Sequence, residues 1–67
     1  MNLLYFLNKN IEIVDKKGRY IKGYVQEYFP SNDNEDGYSS IGVSKNSDIQ
    51  GGIEISEIDI ESIKLVK

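Results

Sequence analysis

Histidine and cysteine are both absent from this chain. Nucleophile–base pairs built on imidazole or thiolate therefore have no members here, and neither do thiolate metal sites. The side chains left for chemistry are carboxylates, amines, one guanidinium, hydroxyls and phenols. Glu54, Glu57, Asp59 and Glu61 alternate with isoleucines, a spacing that sends them to solvent along a strand. General acid–base work needs a pocket that shifts pKa values, and a very small barrel fills its interior with its own side chains. No enzyme is expected, and no cofactor.

The segment Asn32-Asp33-Asn34-Glu35-Asp36-Gly37 imitates the start of a calcium loop, with Asn32, Asn34, Asp36 and Gly37 at the first, third, fifth and sixth positions. The twelfth position is then Val43, where such a loop needs a bidentate glutamate. The motif lacks its strongest ligand and reads as a solvated turn, so no metal is expected.

Tyr20, Tyr24, Tyr28 and Tyr38 lie on or beside one long apolar stretch and are the candidate binding residues. Aromatic strips anchor protein interfaces, stack bases, or pack across strands. Lys16, Lys17, Arg19 and Lys22 form the one basic cluster, with Glu12, Asp15 and Glu27 near it in sequence. The formal charge is −3, which gives no field to gather a polyanion. A protein partner, or a second copy of the chain, is favoured over nucleic acid.

The elements that carry these residues follow from composition and period. Ten Ile, four Leu, four Val, five Tyr and two Phe supply nearly all the apolar material, with no Ala or Thr. Such residues fit a pleated, half-buried surface, so the chain is expected to be mostly β. Sixty-seven residues make one domain, residues 1–67, that buries only about 60% of its unfolded surface.

A short helix is expected from Leu3, capped by Asn2 and ended by Asn8 or Asn10, with Leu3, Leu4 and Leu7 on one face; a first strand is the alternative. Alternation predicts strands at Asn10–Asp15, Arg19–Phe29, Ser39–Ser44, Gly52–Glu57 and Glu61–Val66. Ile11, Ile13, Ile21, Val25, Ile41, Val43, Ile53, Ile55, Ile63 and Leu65 then point inward. Gly18 sits where a turn needs positive φ, Gly23 marks a bend or close backbone approach, and the slip between Val25 and Tyr28 marks a bulge near Gln26 and Glu27. A 3₁₀ turn is expected at Ile58–Ile60, and polar loops at Pro30–Tyr38 and Lys45–Gly51. Leu3–Leu7 is too short to span a bilayer. It also lacks a basic leader and cleavage site, so the expected location is cytoplasmic, with no membrane association.

Five short strands suit a small barrel better than two full sheets. The run Val14-Asp-Lys-Lys-Gly18-Arg-Tyr-Ile-Lys22-Gly23-Tyr-Val25 resembles the first motif of the Sm-like branch of SH3-like barrels: a hydrophobic residue, a turn glycine, and a strand glycine followed by a hydrophobic residue. The acidic loop Ser31–Gly37 and the ending Glu57–Ile63 are similar to those of short Sm-like proteins of low-GC bacteria, most without assigned function. The resemblance implies a five-stranded barrel with a short N-terminal helix, and rings in which strand four of one copy pairs with strand five of the next. It also implies RNA binding as an alternative. However, Tyr28-Phe29-Pro30-Ser31-Asn32 stands where RNA-binding members carry an Asp and Asn pair. Glu57-Ile58-Asp59-Ile60 stands where they carry a basic residue and Gly. No RNA-binding residue transfers. The resulting expectation is a noncatalytic interaction or self-assembly module, with an acidic phage- or plasmid-borne inhibitor as a further alternative.

Overall fold

The computed structural model describes residues 1–44 and 52–66; the expected polar loop at Lys45–Gly51 lies outside them. Five strands form one antiparallel sheet: β1 Asn10–Asp15, β2 Tyr20–Phe29, β3 Ser40–Ser44, β4 Gly52–Ser56 and β5 Ile60–Leu65, in the order β4-β3-β2-β1-β5. Among the described residues a 3₁₀ turn at Leu3–Phe6 precedes β1, and two more, at Ser31–Asp33 and Glu57–Asp59, lie between strands.

The sheet is open, with β4 and β5 as its two edges. Yet only Glu57–Asp59 separates those edge strands in sequence. Across a flat five-stranded sheet the edges stand four spacings of ~4.8 Å apart, roughly 19 Å. Three residues of 3₁₀ helix advance only ~6 Å. The sheet must therefore curl until its edges approach at this end. Backbone hydrogen bonds fix the approach: Lys16 N–H donates to Asp59 O at 3.0 Å, and Glu57 N–H to Ser39 O at 2.9 Å. The radius of gyration is 10.9 Å, close to the ~11 Å of a compact chain of this length.

Two devices in β2 produce the curl. At Gly23 the strand passes so close to β3 that a Cβ would lie 2.5 Å from Ser44 O and 2.7 Å from Val43 Cγ1. Only glycine fits such a crossing. Beyond it, Val25 pairs with Val43 but Glu27 with Gly42, so Gln26 is the extra residue of a bulge. A second bulge lies on β5, where Val14 faces Ser62 and Asp15 faces Ile60, leaving Glu61 unpaired. The N-terminal half of β2 thus pairs with β1 and the C-terminal half with β3.

Leu3, Ile11, Ile13, Val25, Ile41, Val43, Ile55 and Ile60 form the buried core, with Phe6, Leu7, Ile21, Tyr28 and Ile63 packed against it. Two residues expected inside are only half covered. Ile53 faces Val43 and Leu65 faces Ile11 across the ladders, which places both on the core side. They remain 50% and 41% exposed because the outer flank of each edge strand has no neighbour. The expected N-terminal helix is a single 3₁₀ turn, and Asn2 makes no side-chain cap. What holds it is the burial of Leu3 and the left-handed Asn8, at φ 64°, whose N–H reaches Val25 O at 2.8 Å.

Candidate functional site

Asp15 organises the hairpin between β1 and β2. It is 5% exposed and accepts from the backbone N–H of Arg19 at 2.8 Å, the N–H of Lys17 at 3.0 Å and Arg19 Nε at 2.7 Å. The Arg19 backbone donor, aided by the guanidinium and Lys17 N–H, holds its carboxyl below the usual range against the effect of burial. Gly18, at φ 84°, gives the chain the reversal this needs. The sequence shows Asp15 only as the end of a strand and an acid near the basic cluster, and its role as an acceptor is not visible there.

Beside this hairpin a cleft of about 630 Å³ opens between β2 and β4, lined by Arg19, Tyr20, Ile21 and Lys22 on one flank and Ile53, Glu54 and Ile55 on the other. Asp15 and Asp59 close one end. The ladder between β2 and β3 begins only at Tyr24 and Ser44. The N-terminal half of β2 and the outer edge of β4 therefore border an apolar floor with charges at its rim. A groove of about 580 Å³ flanks the other edge strand, between Met1, Asn2, Tyr5 and Phe6 and the β5 residues Ser62 and Ile63.

The four candidate tyrosines are not brought together. Tyr20 and Tyr24 share the outer face of β2, by alternation through Lys22. Tyr20 is 59% exposed, and the interaction of its hydroxyl with the Glu12 carboxylate lowers the pKa of Glu12, helped by Lys64, and raises that of Tyr20. The Tyr24 hydroxyl donates to Asn8 Oδ1 at 3.3 Å. The bulge sends Tyr28 to the other side, against the core and opposite Ile41. Tyr38 is exposed in the loop after Gly37. Tyr5 has its own partner, with Lys9 Nζ 3.7 Å from its ring centre, a cation–π contact.

The acidic loop turns its polar groups on itself. Asn34 Nδ2 donates to Tyr38 O at 2.7 Å and to Ser40 Oγ at 3.3 Å. Asp36 accepts from Tyr38 N–H at 3.0 Å and from the Ser56 hydroxyl at 3.3 Å. Ser40 donates to Glu54 at 2.8 Å and Ser39 to Glu57 at 2.9 Å. Among the described residues no group of three or more acidic side chains is placed to hold a metal ion, and no helix is long and apolar enough to cross a membrane.

Charge is strongly segregated. From Gln26 to Ile63 the described residues contain no lysine or arginine, whereas residues before Gln26 carry Lys9, Lys16, Lys17, Arg19 and Lys22 against Glu12 and Asp15 alone. Register adds Lys64 to that side: Lys22 and Lys64 flank Glu12 on one rung of the outer face, and Lys64 Nζ lies 3.3 Å from Glu12 Oε2. Compared with protein-family models, curated proteins and solved structures, the chain matches none of them.

Proposed function

We propose that this chain is a noncatalytic interaction module, a small SH3-like barrel of the Sm-like kind, acting in the cytoplasm and assembling through its free strand edges, with further copies of itself as the first partner. The observation that carries this reading is the complementarity of the two edges. Set antiparallel, β4 and β5 of a second copy match in one register: Ile53 with Leu65, Glu54 with Lys64, Ile55 with Ile63, and Ser56 with Ser62. Both half-exposed core-side residues then cover each other, and an acid meets a base on the outer face. The cleft beside β4 is the seat the incoming strand would fill. Open edges are natural templates for such pairing, and cross-strand pairs of this kind stabilise it by ~0.2–1 kcal/mol each.

The contact is heterologous, so repeated copies close into a ring or extend as a filament. The strand order supports the reading, since it leaves the same two strands unpaired that the Sm-like resemblance implies. Light scattering across a range of concentrations tests it. The mass should rise well above the 7.6 kDa of one chain. A strict monomer at high micromolar concentration would count against it.

A further inference from the structure

The segregated charge points to a second surface, which shares Ser62 and Lys64 with the β5 edge but runs across the outer face of β1 and β2 to the turn between them. The outer face of β5, β1 and the N-terminal half of β2 is built from three rungs set by register. They are Val14 with Tyr20 and Ser62, Glu12 with Lys22 and Lys64, and Asn10 with Tyr24. The turn between β1 and β2 adds Lys16 and Lys17, both exposed. The acids of this half are already engaged. Glu12 takes Lys64 and the Tyr20 hydroxyl, and Asp15 is buried under Arg19 and two backbone N–H groups. Of the charged groups before Gln26, those that remain open to a partner are positive, although the whole chain is negative; on β5 the exposed Glu61 stands at the bulge beside the Val14 rung.

We infer that this face docks an acidic peptide segment of a partner protein. Lysines steer an acidic partner and set its register. Tyrosine supplies large, rigid contact area, and Tyr20 presents it at the centre of the patch. A compact acidic segment fits better than nucleic acid for two reasons. A strand of phosphates running past the face meets the acid-rich stretch from Gln26 to Ile63, whose described residues carry no lysine or arginine. The Tyr24 hydroxyl donates to Asn8 Oδ1, which ties that ring by its tip instead of leaving it free to stack between bases.

The experiment is fluorescence anisotropy at low salt with two probes of equal formal charge, a labelled peptide of glutamates spaced by glycine and serine, and a labelled single-stranded oligonucleotide. The peptide is expected to bind saturably and to weaken as salt rises. In Lys16→Glu/Lys17→Glu and in Lys22→Glu its binding should weaken about tenfold. Because Tyr20 and Lys22 also border the cleft, the turn variant, whose lysines do not line it, decides between the two surfaces. Circular dichroism and light scattering on each variant show that fold and assembly persist. No saturable binding of the peptide, unchanged binding by the turn variant, or tighter binding of the oligonucleotide would each overturn the inference. A monomeric parent would overturn the edge-pairing reading and leave the peptide result standing.

Discussion

Replacing Gly23 by alanine sets a methyl carbon against the end of β3, 2.5 Å from Ser44 O and 2.7 Å from Val43 Cγ1. Ordinary contacts between such atoms stand at about 3.5–4.0 Å. About an ångström must therefore open between β2 and β3, and Ser44 O is backbone that cannot swing aside. Overpacking of this kind costs about 1–3 kcal/mol, and the backbone contact puts Gly23→Ala toward the upper end. Alanine offsets ~0.4–1 kcal/mol by restricting the unfolded chain, since Gly23 has no positive φ to forbid it. The net loss is about 2 kcal/mol, and at 4–8 °C per kcal/mol for a domain of this size Tm falls by roughly 8–16 °C. Gly42→Ala is the control. Its Cβ would meet Glu27 Cβ at 3.5 Å, an ordinary contact, so its stability should stay within about 1 kcal/mol of the parent. Thermal melts followed by far-ultraviolet circular dichroism, with urea titrations to confirm an unchanged slope, measure both. A Gly23→Ala protein that melts within about 3 °C of the parent, or a Gly42→Ala protein that falls as far, would refute the close crossing as the origin of the curl.

Other expectations concern the hairpin, the outer face and the left-handed asparagine. Asp15 has a folded-state pKa below its ordinary value of 3.8. Its contribution is therefore present above about pH 4 and lost as pH falls through the folded value. The stability gap between parent and Asp15→Asn should be wide at pH 7 and close toward pH 2 in urea titrations. Tyr20 has a folded-state pKa above its ordinary value of 10.0, so its contribution is complete below pH 10 and fades as pH rises beyond it. In alkaline urea titrations Tyr20→Phe should lose less stability than the parent over that range. Asn8→Ala forces alanine into φ 64° at a cost of about 1–2 kcal/mol, whereas Asn8→Gly should melt near the parent temperature.

Much of the fold is written in local pattern. Strand β1 is bounded as alternation predicts, and the ends of the other four differ by a residue. The bulge at Gln26, the positive φ of Gly18 and the close approach at Gly23 follow from one slipped spacing and two glycines. The 3₁₀ turn after β4 falls one residue earlier than expected, at Glu57–Asp59. What local pattern did not reveal depends on pairing between distant segments. Period-two spacing puts Ile53 and Leu65 on the core side without saying that their strands lie at the edges. It likewise groups four tyrosines that the bulge and the loop separate. The N-terminal apolar run has helical spacing but only one short turn before Asn8, and a nucleus that small takes its shape from packing. Asp15 reads as an ordinary strand end because its donors come from folding the hairpin over it. The bulge at Glu61 is set by the partner strand and leaves no mark in the spacing.

Edge pairing can be tested most directly with two crippled copies. Lysine at an exposed edge position blocks strand addition, and Ile53 and Leu65 are exposed enough to accept it. Light scattering should find Ile53→Lys and Leu65→Lys each monomeric alone, at 7.6 kDa, while the parent assembles. Mixed in equal amounts, one variant keeps a sound β5 and the other a sound β4. They should form a dimer of twice that mass and stop there. Assembly of either variant alone, or a mixture that stays monomeric beside an assembling parent, would contradict the pairing of β4 with β5.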